Sequence, residues 1–567
     1  MLLALLMVLA WANACAQPAD TVLRNGKIVT MDRTKPSAEA LAIRGDTILA
    51  VGSNQEVQRH IGKSTQVIDL AGKLAIPGFI EGHGHLTGLG SARMSLNLMT
   101  VKNWDQVVSM VAESVTRAQP GDWILGRGWH QEKWDKKPAP NVEGFPTHES
   151  ISKVSPNNPV LLTHASGHAA FANARALALA GIDKNTPNPP GGEILRDTQG
   201  GPTGVLRETA AGLVSKALAQ ARSRRSPEQI QAQARKEIEL AIQECLAKGV
   251  TSFQDAGSSL ATIDLLKKLA EEGRLGVRLW VMVRETNATL AQNLSKYRWI
   301  NSAGKRLTVR AIKKSIDGAL GPRGAWLLEP YSDLPSSTGL NTTPVGELAE
   351  TARLAVENGF QLCVHAIGDR ANRETLDVFE RTFKSHPEKK DLRWRVEHAQ
   401  HLAATDIARF GQLKVIASMQ GIHCTSDAPY VLARLGENRA KEGAYVWQKL
   451  MKSGAVVVNG TDAPVEDVSP IASFHASVSR KLNNGSVFFP DQRMSREEAL
   501  QSYTLNAAYA AFEEDIKGSL SPGKVADITV LSKDIMSVAE DEIPATEVLY
   551  TMVGGKVVYR SKTGTSP

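Results

Sequence analysis

Two histidines separated by a single glycine stand out in this chain. They are His83 and His85, which end a run that begins with Pro77–Ile80. Such a run predicts a β-strand, and alternate residues of a strand share one face, so the two imidazoles point the same way. Two imidazoles on one face suit a divalent ion such as zinc. The neighbouring glycines are expected to leave room for an ion and a substrate. The alternative is two unrelated surface histidines, because His-x-His by itself is a weak motif.

Four further apolar runs end in a residue that can contribute to a metal site. The four residues are Lys313, His365, His398 and Asp462. The carboxyl ends of neighbouring parallel strands meet at the same edge of a sheet or barrel, so we expect these side chains to lie near His83 and His85.

These motifs, taken together, resemble the amidohydrolase superfamily, and within it the branch of N-substituted formamide deformylase. The resemblance runs from about residue 20 to 558, and its motifs are PGFIEGHGH (77–85), KKSIDGALG (313–321), VHAIGD (364–369), RVEHAQ (395–400) and NGTDAPV (459–465). It implies a (β/α)8 barrel with its site at the carboxyl ends of the strands. It also implies one divalent ion, expected to be zinc, on His83, His85 and Asp462, and a second on His365 and His398. Occupancy by one ion or two is left open.

The resemblance implies a chemical modification of Lys313. A protonated amine cannot bind a cation, so the resemblance implies a carboxylated Lys313 that bridges the two ions. Lys314 is a rival by adjacency, and a solvated lysine is the alternative. Alternation along a strand separates the two candidates, because Lys313 and Asp317 share one face while Lys314 takes the other.

The resemblance implies hydrolysis of a C–N bond outside ordinary peptides, of the amide or formamide type, by attack of a metal-activated water. Asp462 is predicted to be the catalytic proton acceptor as well as a ligand. Glu397 is predicted to support the site without binding the ion. The alternatives are an esterase, lactonase or dipeptidase on the same site, or a non-catalytic exported protein that binds metal or solute.

The stretch from about residue 88 to 225 is too long for one barrel connection and is predicted to be an inserted lid. Its Ser166-Gly167-His168 and Asn173 match a motif of the same insertion in the family. The predicted substrate contacts are Trp129, His130, His168 and Arg323. Packing inside the insertion is the alternative for the first three, and a surface position is the alternative for Arg323. The histidines without motif support are treated as ordinary, and they are His60, His148, His386, His401, His423 and His475.

Helices and strands alternate through the part of the chain that carries these residues. Ser226-Pro227 and Ser495 have the pattern of helix starts, and a helix over about 345–358 is predicted to stop at Gly359. This alternation predicts a closed barrel over residues 76–515. Short strands at both ends, over residues 20–75 and 516–562, predict a small β-sandwich. Its predicted hairpins turn at Asn25-Gly26, Gly45-Asp46 and Gly554-Gly555.

Composition limits the partners and the cellular location. The chain has 567 residues, 42% of them hydrophobic and 22% charged, as in globular proteins with more than one domain. The net charge of +7 is dispersed and no nucleic-acid motif is present, so the expected partner is a small molecule; a homodimer is left open. Residues 1–16 are typical of a signal peptide and too short for a transmembrane span, which predicts export to the periplasm. Lipidation of Cys15 is the alternative to simple cleavage. The cysteine spacing predicts no structural disulfide.

Overall fold

The computed structural model of the protein describes residues 18–562. The predicted signal peptide and Cys15 lie outside these residues. Within them, no helix combines the length and apolar character needed to cross a membrane. Cys245, Cys363 and Cys424 are buried and unbonded.

Eight parallel strands form a nearly closed barrel, which confirms the predicted mixed α/β barrel. In chain order they are β1 Phe79–Gly84, β2 Val250–Ser258, β3 Arg278–Val283, β4 Leu307–Ser315, β5 Gln361–Ala366, β6 Arg395–His398, β7 Ile416–Gln420 and β8 Val457–Gly460. Each strand pairs in parallel with the next from β1 to β8. Two backbone bonds just beyond the strand ends join β8 to β1. The Asp462 N–H donates to the His83 carbonyl over 2.8 Å, and the His85 N–H donates to the Ala463 carbonyl over 2.7 Å.

The barrel strands are buried along most of their length, because helices cover the sheet from outside. All six residues of β3, for example, are buried, as expected for parallel strands with both faces covered. The longest helices are Pro227–Ala247, Val345–Asn358, Asp369–Ser385 and Gly421–Leu435. The shorter helices are Asn54–Gln58, Leu86–Ala92, Trp104–Val115, Glu149–Val154, Ala174–Leu179, Ala211–Arg222, Leu260–Glu271, Asn287–Asn293, Ser302–Lys305, Ala404–Leu413, Glu437–Gly443, Trp447–Lys452, Pro470–Ser479, Arg496–Ser502 and Leu505–Ala510.

The predicted helix ends are confirmed because they rest on local chemistry. Ser226 and Ser495 each cap a helix in a capping box, with Pro227 at the first helical position. Gly359 ends its helix in the left-handed region at φ 68°, where glycine carries no steric penalty.

The glycines around His83 were predicted to leave room for an ion and a substrate, but the structure shows that they allow close packing of the barrel strands. A Cβ on Gly82 would lie 2.4 Å from the Asn459 carbonyl oxygen, and one on Gly84 would lie 2.6 Å from the Phe253 ring. Both distances are shorter than any real contact, so these positions must be glycine for β1 to pack against β8 and β2. Close packing of the barrel therefore explains these glycines, and space for an ion does not.

The segment between β1 and β2 contains a sheet of its own. Its six strands, in spatial order, are Gly192–Arg196, Pro202–Glu208, Ala169–Ala172, Val160–His164, Ile124–Trp129 and Leu96–Asn97. A two-stranded ribbon, Asn141–Val142 with Phe145–Pro146, lies in the same segment. This sheet and the loops that join its strands carry the histidines and the tryptophan that were predicted to contact a substrate.

The two chain ends contribute to two further sheets. The first contains, in spatial order, the strands Thr47–Gly52, Ala40–Arg44, Thr21–Arg24 and Gln66–Asp69. The second combines strands from both ends of the chain, in the order Lys556–Arg560, Val548–Val553, Ile528–Leu531, Leu74–Pro77, Lys27–Val29 and Ser37–Ala38. Residues of both sheets share one apolar cluster.

Two of the three hairpins predicted at the chain ends are present. The strand pairs Ala40–Arg44 with Thr47–Gly52 and Val548–Val553 with Lys556–Arg560 form the predicted antiparallel hairpins. The hairpin predicted at Asn25-Gly26 is wrong, because the strands on its two sides belong to different sheets. Asn25 takes the left-handed conformation at φ 54° and turns the chain from one sheet to the other.

Candidate metal centre

Side chains from five barrel strands meet at the carboxyl end of the barrel. They are the six predicted ligands: His83 and His85 from the end of β1, Lys313 from β4, His365 from β5, His398 from β6 and Asp462 just after β8. The ring of His398 lies 4.6 Å from that of His83 and 4.5 Å from that of His365, measured between centroids. The structure therefore brings all six residues to one place.

His83, His85 and Asp462 form one group suited to a metal ion, with one ligand atom of each within 4.8 Å of the others. His85 Nε2 lies 3.2 Å from Asp462 Oδ1, and His83 Nε2 lies 3.6 Å from the same oxygen. Burial opposes ionisation of Asp462, but the three surrounding imidazoles, His85, His83 and His398, hold its pKa well below the usual value. Asp462 is therefore an ionised carboxylate, which is the form that binds a cation.

His398, His423 and Asp462 form a second group on the same distance criterion. His423 was expected to be an ordinary histidine, and the structure corrects this expectation by placing its ring 6.3 Å from that of His398, in a stacked arrangement. His423 lies three residues beyond the buried strand β7, so its position after an apolar run was a usable signal. Gln420, at the end of β7, accepts from His398 Nδ1 over 2.7 Å and fixes that ring.

Glu397 lies behind the metal group, on the far side of His83. Its Oε2 lies 2.5 Å from His83 Nδ1, and both side chains are fully buried. Burial opposes ionisation of Glu397, but the neighbouring His83 outweighs it and lowers the pKa of Glu397 to about 2. An ionised carboxylate on one ring nitrogen orients a ligating histidine and makes its other nitrogen a better donor.

Lys313 and Lys314 point in opposite directions, as the alternation along β4 predicts. Lys313 is 1% exposed, and its Nζ lies 3.4 Å from His83 Nε2 inside the barrel. Lys314 extends outward and pairs with Glu347 at 3.3 Å. Burial lowers the pKa of Lys313 to about 8, so about a tenth of its amine is uncharged at pH 7.

The loop that carries Asp462 is held in a strained conformation. Asp462 has φ 57° and His398 has φ 76°, in the left-handed region that residues other than glycine seldom adopt. Glu81, buried beneath the loop, accepts from the Thr461 N–H over 2.6 Å and from the Thr461 hydroxyl over 3.0 Å. Strain that the surrounding structure maintains is characteristic of functional sites.

The donor atoms fit a divalent ion. His365 Nε2 and Asp462 Oδ1 are buried, and neither makes a well-aligned hydrogen bond among residues 18–562, although His365 Nε2 lies 3.4 Å from Asp317 Oδ1 and Asp462 Oδ1 lies 3.2 Å from His85 Nε2. Buried polar atoms rarely stay unpaired, so each such atom needs an explanation. Burial also lowers the pKa of His83, to about 4, and that of His365 and His398 well below the usual value. Neutral imidazoles with an ionised carboxylate are the ligands that zinc takes in proteins.

Two of the predicted substrate contacts lie beside this centre. The His168 ring is 4.7 Å from that of His365, and His168 Nδ1 lies 2.8 Å from Glu208 Oε2. Burial opposes protonation of His168, but Glu208 outweighs it and raises the pKa of His168. His130 stacks on Tyr430 with ring centroids 5.3 Å apart and lines a small cavity that also reaches Asp462. Glu208 had no motif to mark it, so sequence reasoning missed it.

The other two predicted contacts lie elsewhere. Trp129 is fully buried in the apolar core of the insertion, where its Nε1 donates to the Leu162 carbonyl over 2.9 Å. Arg323 donates to Asp333 over 3.0 Å, in a cluster of charged side chains. Neither residue lines the cavity at the metal centre. For Trp129 the structure supports the packing alternative, and for Arg323 it provides an acidic partner within the protein.

A cavity of about 990 Å³ opens beside the metal centre. The insertion, helix Pro227–Ala247 and the barrel ends contribute to its walls, and five of the six predicted ligands line it: His85, Lys313, His365, His398 and Asp462. A small-molecule substrate can therefore reach the centre without a change of fold.

Comparison with known proteins agrees with this geometry. The model of the amidohydrolase family matches residues 66–559. The chain belongs to the amidohydrolase family. This amidohydrolase is 35% identical to the protein LONG AFTER FAR-RED 3 of Arabidopsis thaliana, over 95% of this chain and 92% of that protein. It is 28% identical to the N-substituted formamide deformylase of Arthrobacter pascens, over 97% and 99% of the two chains.

A solved structure shows the same architecture. A metal-dependent hydrolase of Pyrococcus horikoshii superposes with a TM-score of 0.72 and 27% sequence identity, covering 92% of this chain and 99% of that one. Family membership makes this chain a metal-dependent hydrolase that acts on carbon–nitrogen bonds. The predicted resemblance to the superfamily is therefore confirmed.

Proposed function

We propose that this amidohydrolase cleaves an amide- or formamide-type C–N bond outside ordinary peptides, with one or two divalent ions, expected to be zinc. The observation that carries the proposal is the convergence of His83, His85 and Asp462 with the buried Nε2 of His365, which makes no hydrogen bond to the described residues. The similarity to N-substituted formamide deformylase over nearly the whole chain supports the class of bond.

Asp462 is the proposed proton shuttle. When bound, a divalent ion would lower the pKa of water to about 7 and polarise a substrate carbonyl. Asp462 is ionised and buried against His85, so one of its oxygens can accept the proton of the attacking water. The same oxygen can return that proton to the leaving nitrogen, which an amine needs in order to depart.

Lys313 is proposed to be carboxylated. A carbamate forms only on an uncharged amine, and burial already lowers the pKa of this amine to about 8. The carboxylated side chain would supply oxygen ligands between the group of His83 and that of His365. His83 Nε2 lies 3.4 Å from the amine.

The proposal also includes a lid over the cavity, a β-sandwich beside the barrel and export of the protein. The insertion between β1 and β2 would act as a lid over the cavity, since it contributes His168 and Arg127 to the walls. The sheets from the two chain ends would form a β-sandwich beside the barrel. The composition of residues 1–16 supports export, with the periplasm as the expected location and a lipid anchor at Cys15 as the alternative.

Metal analysis combined with a substrate panel tests the proposal. The purified enzyme is stripped with a chelator, reloaded with zinc and assayed on N-substituted formamides, other amides, dipeptides and matched esters. We expect zinc-dependent hydrolysis with formamides or amides as the best substrates. Esters or dipeptides as the best substrates would replace the proposed bond class. Zinc binding without any hydrolysis would favour a non-catalytic binding protein.

A further inference from the structure

The cavity beside the metal centre contains positive charge without an acidic partner. Four arginines line it: Arg127, Arg222, Arg225 and Arg284. Among the described residues, none of these four forms an ion pair with a carboxylate. Other buried arginines of this protein are held by partners within the chain: Arg278 Nε lies 2.7 Å from Asp527, and Arg480 donates to the backbone carbonyls of Phe488 and Tyr445.

The acidic side chains of the same cavity are already engaged with other groups. Glu208 pairs with His168 at 2.8 Å, and Glu237 accepts from Gln233 over 3.0 Å. Asp317 accepts three backbone N–H groups over 2.8 to 3.0 Å, and Asp462 belongs to the metal group. The cavity therefore offers an anion several donors and few competing carboxylates.

Arg127 is held in place by backbone groups. Its Nε donates to the Pro464 carbonyl over 3.1 Å, and its Nη2 donates to the Ala165 carbonyl over 3.0 Å. Pro464 lies two residues after Asp462, so the guanidinium is fixed beside the metal centre. Burial lowers the pKa of Arg127 to about 10, so it stays charged at neutral pH. Its Nη1 has no partner within residues 18–562.

Arg284 lies near Lys313, on the residue that follows β3. Its Nη2 lies 3.5 Å from the Ser315 hydroxyl, at the outer limit of a hydrogen bond, and Ser315 is two residues after Lys313. The side chain passes over Gly257, where a Cβ would lie 3.0 Å from Arg284 Cδ. Arg284 is exposed to the cavity, and its guanidinium makes no closer polar contact with the described residues.

We propose that the substrate of this enzyme carries a carboxylate, bound by Arg284, with Arg127 as a second guanidinium that lines the same cavity. The substrate class is then the N-acyl or N-formyl amino acids, in which a carboxylate lies a few atoms from the amide. This inference rests on the proposed function. A guanidinium binds a carboxylate through two parallel hydrogen bonds, and a bound divalent ion would give an anionic substrate further attraction.

A pair of compounds that differ only in charge tests the proposal. The full-length zinc-loaded enzyme is assayed on N-formyl-phenylalanine and on its carboxamide, both as racemates. Hydrogen bonds to a charged group contribute enough for about a 10- to 100-fold preference in kcat/KM for the carboxylate. Equal kcat/KM for the two compounds, or a preference for the carboxamide, overturns the proposal.

Substitution of the arginines tests whether they cause the preference for the carboxylate substrate. Arg284→Met removes a side chain with little structural bonding, and we expect it to reduce the preference by about tenfold or more, while Arg284→Lys retains part of it. Arg127→Lys is the second variant, because it keeps a donor for the backbone carbonyls. Arg175→Met is the matched control, on an exposed part of a helix of the same insertion outside the cavity. An unchanged preference in both Arg284→Met and Arg127→Lys overturns the assignment.

Failure of the proposed function is distinguishable from failure of this inference. Should the zinc-loaded enzyme hydrolyse neither compound, calorimetry with the same two compounds still compares their affinities. Tighter binding of the carboxylate, lost in Arg284→Met, would support the anion subsite while the proposed reaction fails. Hydrolysis of other neutral amides, together with equal affinity for the two test compounds, would leave the proposed reaction in place and overturn the subsite.

Discussion

Replacing Glu397 with glutamine tests how the barrel tunes its metal ligands. The Glu397 carboxylate lies 2.5 Å from His83 Nδ1, and both side chains are fully buried. Glutamine keeps the shape and one acceptor oxygen but removes the charge. We expect weaker zinc binding with the fold retained.

The expected magnitude follows from the change in the hydrogen bond. A bond to a charged group contributes about 1.5–3 kcal/mol and a neutral bond about 0.5–1.5 kcal/mol. The difference of about 1–1.5 kcal/mol corresponds to about a 5- to 13-fold change in an equilibrium constant. Changing a group that orients a ligating histidine typically weakens metal binding by about 10- to 100-fold. We therefore expect the zinc Kd of Glu397→Gln to rise by about tenfold or more.

The assay is competition for zinc with a chromophoric chelator at fixed pH. Glu513→Gln is the matched control, since Glu513 is also a buried carboxylate but accepts from the Thr308 hydroxyl over 3.0 Å at the start of β4. The control should lose stability to urea and keep the zinc Kd of the wild type. A folded Glu397→Gln enzyme with a zinc Kd within about twofold of wild type, below the range for such groups, would refute the reasoning.

Three further predictions concern the proton shuttle, the lysines and the pH dependence of stability. Asp462→Asn should keep much of its zinc while kcat falls by about 10²- to 10⁴-fold, more for amides than for activated esters. Lys313→Ala should lose activity, partly restored by a short carboxylic acid, whereas Lys314→Ala should retain it. Burial lowers the pKa of His401 to about 3, so the unfolded chain takes up this proton more readily. The contribution of His401 to the free energy of unfolding should therefore be fully present above about pH 6.5 and fall by about 1.4 kcal/mol per pH unit below it, in addition to the contributions of the other buried histidines. Urea unfolding of wild type and His401→Asn over a pH series measures this contribution, since the slope of the variant should be smaller by about 1.4 kcal/mol per pH unit.

Each of these predictions has a result that contradicts it. Hydrolysis by Asp462→Asn within about threefold of wild type, below the range for general bases, would make another residue the shuttle. Full activity in Lys313→Ala with loss in Lys314→Ala would reverse the choice of lysine. An equal slope in wild type and His401→Asn would assign the acid sensitivity to other groups.

The amino-acid sequence by itself determined the features that rest on local chemistry. The capping boxes at Ser226 and Ser495 and the left-handed stop at Gly359 were readable because they depend on residues within one turn. The direction of Lys313 was readable for the same reason, since alternation along a strand needs no knowledge of the rest of the fold. The six predicted ligands each follow or end an apolar run, and the resemblance to the amidohydrolase superfamily selected them among such residues.

Only the tertiary structure decided which distant groups meet. Glu397 and His83 are 314 positions apart in the chain, and they form a pair because β6 and β1 belong to one barrel. The partnership of His168 with Glu208, the position of His423 and the arginines of the cavity arise in the same way. The turn at Asn25 shows the converse, because an Asn-Gly pair favours a tight turn without determining which sheet receives each strand. Periodicity and capping act over a few residues, whereas strand pairing and barrel closure bring together groups that no short pattern relates.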